Sequence, residues 1–253
     1  AVLVQDGKEA RDIAVLTRVG KPVCFKVKRL ERKNGQTFAY LSRRDAQLEC
    51  REKYIKFLSP GDIIDSKVTH LESFGAFVDI GCGIVSLLTI DCISVSRISH
   101  PRNRYKVGDK IRVVVKNIDR ENDRVFVSRK ELLGTWEENA SLFTVGQTVA
   151  GIVRSIESYG IFVELTPNLA GLAECREDIY VGQVAAVYIK NIIPEKMKLK
   201  LVLIDSGGGI ERPLKPETDF DKGEKHIDRW LYSPPSSSKI VLSEFSELSQ
   251  SSE

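Results

Sequence analysis

From residue 62 to residue 70 apolar and polar positions alternate, with Ile64, Ser66 and Val68 on one side of a strand and Lys67 and Thr69 on the other. His70 closes this strand in core phase. After a turn at Gly75 the alternation resumes, with Ala76, Val78 and Ile80 in one phase and Phe77 with Asp79 in the other. A ring that shares a side with a carboxylate is expected to face water. A short strand is predicted at 84–88, and 110–118 alternates again, Ile111, Val113 and Val115 against Arg112 and Lys116. Residues 119–123 are turn chemistry, and Arg124, Val125, Phe126, Val127 and Ser128 return as the partner strand of a hairpin.

The same string comes round twice. Ser73-Phe74-Gly75-Ala76-Phe77 recurs as Ser158-Tyr159-Gly160-Ile161-Phe162, and Val107-Gly108-Asp109-Lys110 recurs as Val181-Gly182-Gln183-Val184. Phe74 and Tyr159 lie 85 residues apart but Gly108 and Gly182 only 74, so the second copy lacks 11 residues of one internal loop. In the second copy Phe162 again shares its phase with a carboxylate, Glu164. Ser66 and its counterpart Gly151 put a small residue in mid-strand, as the tight coil of a small barrel requires. Five short strands per copy predict an all-β chain of tandem five-stranded OB-type barrels joined by short helices and preceded by a partial copy.

Composition excludes more than it assigns. The chain has 253 residues and a net charge of +3, too small to argue for nucleic acid alone. No apolar run approaches the roughly 18 residues of a membrane span, and no leader-like segment opens the sequence. Five cysteines, odd in number and without a Cys-x-x-Cys pair, point away from a disulfide framework or zinc site and toward a reduced cytoplasm. Charge is uneven: bases crowd residues 18–56 and compensating acids lie beyond 205, which suggests a polyanion for the front of the chain. His70, His100 and His226 sit near no Ser or Cys in a nucleophile arrangement, and no phosphate cradle or metal spacing is present, so no enzyme and no cofactor are expected.

Pro60-Gly61-Asp62, the Ser73–Asp79 stretch, Val107-Gly108-Asp109-Lys110 and Arg124-Val125-Phe126-Val127-Ser128 together resemble the RNA-binding OB domain repeated in the bacterial ribosomal protein S1 family. Leu133-Gly134-Thr135-Trp136-Glu137-Glu138-Asn139 resembles the linkers of such arrays, and the likeness is nearest to the S1-like proteins of low-GC Gram-positive bacteria. The resemblance implies single-stranded RNA, mRNA above all, as ligand and the small ribosomal subunit as partner. It implies stacking by Phe74 and Phe77, with Asp119 and Arg124 of the last hairpin completing the patch; Lys67 and Lys116 are expected within reach of the rings on the same face. Thr89 stands where such domains often carry histidine. In the second copy Tyr159 and Phe162 fit, with Arg154, Lys190 and Lys198 as bases, but Glu174 and Ile193 replace the histidine and aspartate, which implies a weaker binder or a spacer.

The domain reading is a partial OB domain at 1–58, a complete domain at 59–131, a linker helix at 132–143, a shortened domain at 144–205 and an extension at 206–253. In the partial copy, Val19-Gly20-Lys21 through Lys28 parallels Val107 through Lys116, and Ala39 through Arg43 parallels Val125 through Arg129, so it holds a closing hairpin without its aromatic turn. The opening on Ala1 rather than Met is expected of a fragment or of an incomplete gene model. Helices are expected at 44–58 and 130–142. Ser206-Gly207-Gly208-Gly209 and the Ser/Pro run at 233–238 read as flexible breaks, and 226–232 between them as apolar enough to pack on the second barrel. Residues 239–248 fit a last strand or a helix equally. Two rivals to RNA binding are a protein-contact scaffold anchored on the ribosome and an RNA-binding appendage of a larger nuclease or transcription factor.

Overall fold

The computed structural model describes residues 20, 22–122, 124–205, 220 and 223–245, with two short paired strands upstream, β1 (Val4–Gln5) and β2 (Lys8–Glu9). The glycine run at 206–209 and the chain beyond 245 lie outside the described residues. The chain divides into two compact units, residues 1–58 with 79–85, and residues 59–78 with 86–253.

In the first unit β3 (Lys26–Lys33) and β4 (Gln36–Ser42) form a hairpin closed by Asn34-Gly35, the residue pair that suits a tight two-residue turn. Helix α1 (Arg43–Lys53) follows at once, because the Ser42 hydroxyl accepts the Asp45 amide and caps it. It stops at Tyr54 and a single 3-10 turn (Ile55–Phe57) takes over, so the helix expected at 44–58 is shorter than its pattern. In the same unit the Gln47 side-chain amide donates to the Gly83 carbonyl.

The second unit is built on two closed barrels of one topology. In the first, β5 (Ile63–Glu72), β6 (Gly75–Asp79), β7 (Val85–Thr89), β8 (Lys110–Asp119) and β9 (Arg124–Ser128) close in the order β5-β6-β7-β9-β8. In the second, β10 (Thr148–Glu157), β11 (Gly160–Thr166), β12 (Leu169–Ala173), β13 (Val184–Ile193) and β14 (Lys198–Asp205) repeat it as β10-β11-β12-β14-β13. The third and fifth strands run parallel, Leu87 beside Phe126 and Leu172 beside Lys200. The expected all-β, OB-type class is the observed one.

Inward residues are the ones that the alternation selects. Val68, Val78, Leu88, Val113, Val115 and Val127 are buried in the first barrel, and Val153, Val163, Val187, Ile189 and Leu201 in the second. Each such side chain contributes about 1.5–3 kcal/mol by leaving water. The small Ser66 also donates its hydroxyl to the Ile111 carbonyl across the strand pair at 3.0 Å.

One loop of the first barrel braces the second. After α2 (Ile90–Ile93) the chain runs through 94–106, most of which the shortened copy lacks. The Val95 amide donates to the Asn168 side chain, the Ser96 amide to the Pro167 carbonyl, and Arg104 binds Glu164. Asn168 is fully buried and also donates to the Lys130 and Gly134 carbonyls at 2.8 and 2.9 Å.

Those contacts shape the linker between the barrels. It is a 3-10 turn (Lys130–Leu133), then Gly134 at φ 81°, then α3 (Trp136–Ala140) capped reciprocally by Thr135 and Glu138. The continuous helix expected at 130–142 is broken at Gly134, whose left-handed backbone ends one turn before the next begins. Trp136 is buried in the core of the second barrel with Trp230 and Tyr232. These last two belong to the C-terminal extension, where β15 (Arg229–Leu231) pairs with β16 (Leu242–Glu244). The extension reaches both barrels: the Tyr232 hydroxyl donates to the Asn168 carbonyl, while Phe245 packs on Ile63 and Val114 of the first and on Leu132 of the linker.

Candidate nucleic-acid interface

Phe74 and Phe77 meet edge to face, ring centroids 6.0 Å apart at 90°, at the β5–β6 end of the first barrel. Phe74 is 53% exposed and Phe77 half-buried. A glycine must stand between them, since a Cβ on Gly75 would lie 2.5 Å from the Leu88 carbonyl oxygen. That close approach carries the Phe74 carbonyl to the Ile90 amide and sets Thr89 beside the turn. Thr89 precedes α2 and hydrogen-bonds Asp91, whose carboxyl it holds below the usual aspartate range.

The second barrel copies this geometry. Tyr159 and Phe162 stand 6.1 Å apart at 88°, with Tyr159 68% exposed, and a Cβ on Gly160 would come within 2.7 Å of the Ala173 carbonyl oxygen.

The closing hairpins place the expected charges. Asp119 and Arg124 are partners in register at the β8–β9 end, and Arg124 is exposed. The Asn122 amide and then its side chain hydrogen-bond Asp119 and hold its carboxyl below the ordinary value. Lys116 is the unpaired residue of a register shift between Val115 and Asn117, and Lys190 fills the same bulge between Ile189 and Asn191. Lys28 fills it a third time in the first-unit hairpin, between Val27 and Arg29. A bulge leaves one residue outside the ladder and re-aims its side chain. All three lysines are exposed, and the Lys116 ammonium reaches the Cys92 sulfur at 3.3 Å. Lys67 is exposed on β5 opposite Lys110, and Lys198 is exposed at the start of β14 opposite Ile193.

Arg154 departs from its expected role. Its side chain is only 9% exposed, and the guanidinium binds both carboxylate oxygens of Glu164 at 2.8 and 2.9 Å. Glu164, read from its phase as water-facing, is buried between Arg154 and Arg104. The phase was right about the barrel core and blind to the neighbouring barrel.

His70 departs the other way. Burial along β5 alternates up to Thr69 and then slips by one, leaving Thr69 and His70 exposed and Leu71 buried. In the second copy the corresponding slip is a bulge at Arg154. His70 is therefore outside the core, its ring stacked on Phe77 and its Nε2 against Glu72. No repeat signal could have found it, since Ser155 stands there in the second copy.

Residues 58–130 match the family model described as S1 RNA binding domain. The first barrel is an S1 domain. The chain is 31% identical over 170 residues to the small ribosomal subunit protein bS1 homolog of Bacillus subtilis, an alignment covering 66% of this chain and 43% of that one. It is 32% identical over 163 residues to small ribosomal subunit protein bS1 of Staphylococcus aureus, covering 62% and 41%. The chain thus spans less than half the length of these relatives. Among solved structures, GSP13 from Bacillus subtilis is 27% identical, with a TM-score of 0.27, over 28% of this chain and 55% of that one.

Proposed function

We propose that this chain binds single-stranded RNA, with mRNA on the small ribosomal subunit as its setting in the cytoplasm and binding rather than catalysis as its activity. The observation that carries the reading is the Phe74–Phe77 pair, Phe74 exposed and Phe77 half-buried, on a barrel of the S1 type with Arg124, Lys116 and Lys67 exposed on the same barrel. Rings of this kind stack on bases whatever the sequence, because every base has a π-face, while cations follow the backbone. The bulge lysine repeated at Lys116 and Lys190 supports a backbone-tracking role.

The second barrel contributes less in this reading. Its Arg154 is spent on Glu164, and Glu174 adds an exposed acid. The scaffold alternative draws on the same fact, since this barrel invests buried charge in holding its neighbour. Anisotropy titration with labelled poly-U at several salt concentrations tests the proposal. Saturable binding that weakens with salt is expected, and absence of binding at low salt favours the scaffold.

A further inference from the structure

We propose that His70 is a third ring of the stacking platform on the first barrel, so that this barrel takes one more base of a single-stranded RNA than its aromatic pair alone. The inference rests on the RNA-binding reading above and adds a residue that the repeat does not contain. The His70 and Phe77 centroids are 6.2 Å apart with planes only 30° from parallel, whereas Phe74 meets Phe77 at 90°. The His70 and Phe77 planes therefore lie nearly parallel, and Phe74 adds an edge.

The imidazole is held but not hidden. Its side chain is 63% exposed, and Nε2 lies 2.5 Å from a carboxylate oxygen of Glu72, itself 44% exposed. An exposed pair of this kind adds little stability, but together with the Phe77 contact it favours one orientation of the ring. A ring already oriented loses less side-chain freedom when a base settles on it. Leu71, not His70, fills the core at this end of the strand. The second barrel offers Ser155 at this position, so its platform has two rings against three.

The test is anisotropy titration of the full chain with labelled oligouridylates of increasing length, with thermal melts beside it. His70→Ala is expected to weaken binding about five-fold or more at unchanged melting temperature, and to reach its affinity plateau at a shorter oligonucleotide. His70→Phe is expected to retain wild-type affinity. If His70→Ala binds like wild type while Phe77→Ala does not, the third ring is refuted and the RNA reading stands. If His70→Lys restores affinity and His70→Phe does not, the residue acts as a cation and the proposal is likewise overturned. If neither His70→Ala nor Phe77→Ala changes affinity, the RNA reading itself falls.

Discussion

Arg104 of the first barrel and Glu164 of the second lie face to face, two guanidinium nitrogens on the two carboxylate oxygens at 2.7 and 2.6 Å. Arg154 takes the same carboxylate from within the second barrel, so one acid serves two cations at a buried junction. Glu164→Ala leaves both guanidiniums buried without it and is expected to destabilise the chain by about 3–5 kcal/mol. Arg104→Ala leaves the Arg154 pair in place and is expected to cost about 1.5–3 kcal/mol, the range for hydrogen bonds to a charged group. Urea unfolding followed by tryptophan fluorescence checks the order, and equal losses would mean that Arg104 carries the whole junction.

On the binding side, Phe77→Ala should weaken poly-U binding by roughly ten-fold, within the ~1–3 kcal/mol of one stacked base, with little change in melting temperature. Tyr159→Ala should matter less, since its barrel offers two rings and has Arg154 tied to Glu164. A larger loss from Tyr159→Ala would reverse the assignment of the two barrels.

Charge acts through counterions. Replacing exposed Arg124 or Lys67 by Ala should flatten the log–log salt dependence by about 0.7 per phosphate contact removed from a single strand. An unchanged slope would place that residue off the RNA path.

The C-terminal extension is tied to the first barrel by a titrating contact. The Asp62 carboxylate, 2.7 Å from His226, raises the imidazole pKa above its ordinary 6.5; burial opposes the shift and Asp228 adds to it. A raised folded-state pKa stabilises docking fully below pH 6.5, and the contribution is lost as pH rises through the raised value. Protection of the Ile63 and Ile227 amides, which bond Lys225 and Gly61, is expected to fall across that window. His226→Gln should abolish the pH dependence. A His226 that titrates at or below 6.5 in NMR would refute it.

The barrels were legible because each strand is a two-residue period with one wet face, and because the copies repeat the same turn. Val78 and Val163, or Val115 and Ile189, could be assigned to the core on phase alone. What the period could not carry were events that break it. A one-residue slip at Thr69 turned His70 outward, and contact with a second barrel buried Glu164 and Arg154. The linker helix was misjudged for a similar reason: Asn168, distant in sequence, holds the Lys130 and Gly134 carbonyls that a continuous helix would need for itself. The placement of the aromatic pair around its glycine could be read, because a glycine between two rings recurs with its spacing intact.

The 94–106 loop gives the array a direction. A barrel that has it can seize its successor through amides and an arginine; a barrel that lacks it, as the second does, has no such hand to extend. Order along the chain is thus written into individual barrels as well as into the linker. Exchanging the two copies would leave every strand intact and yet remove the amides and the arginine that now join the first barrel to the second.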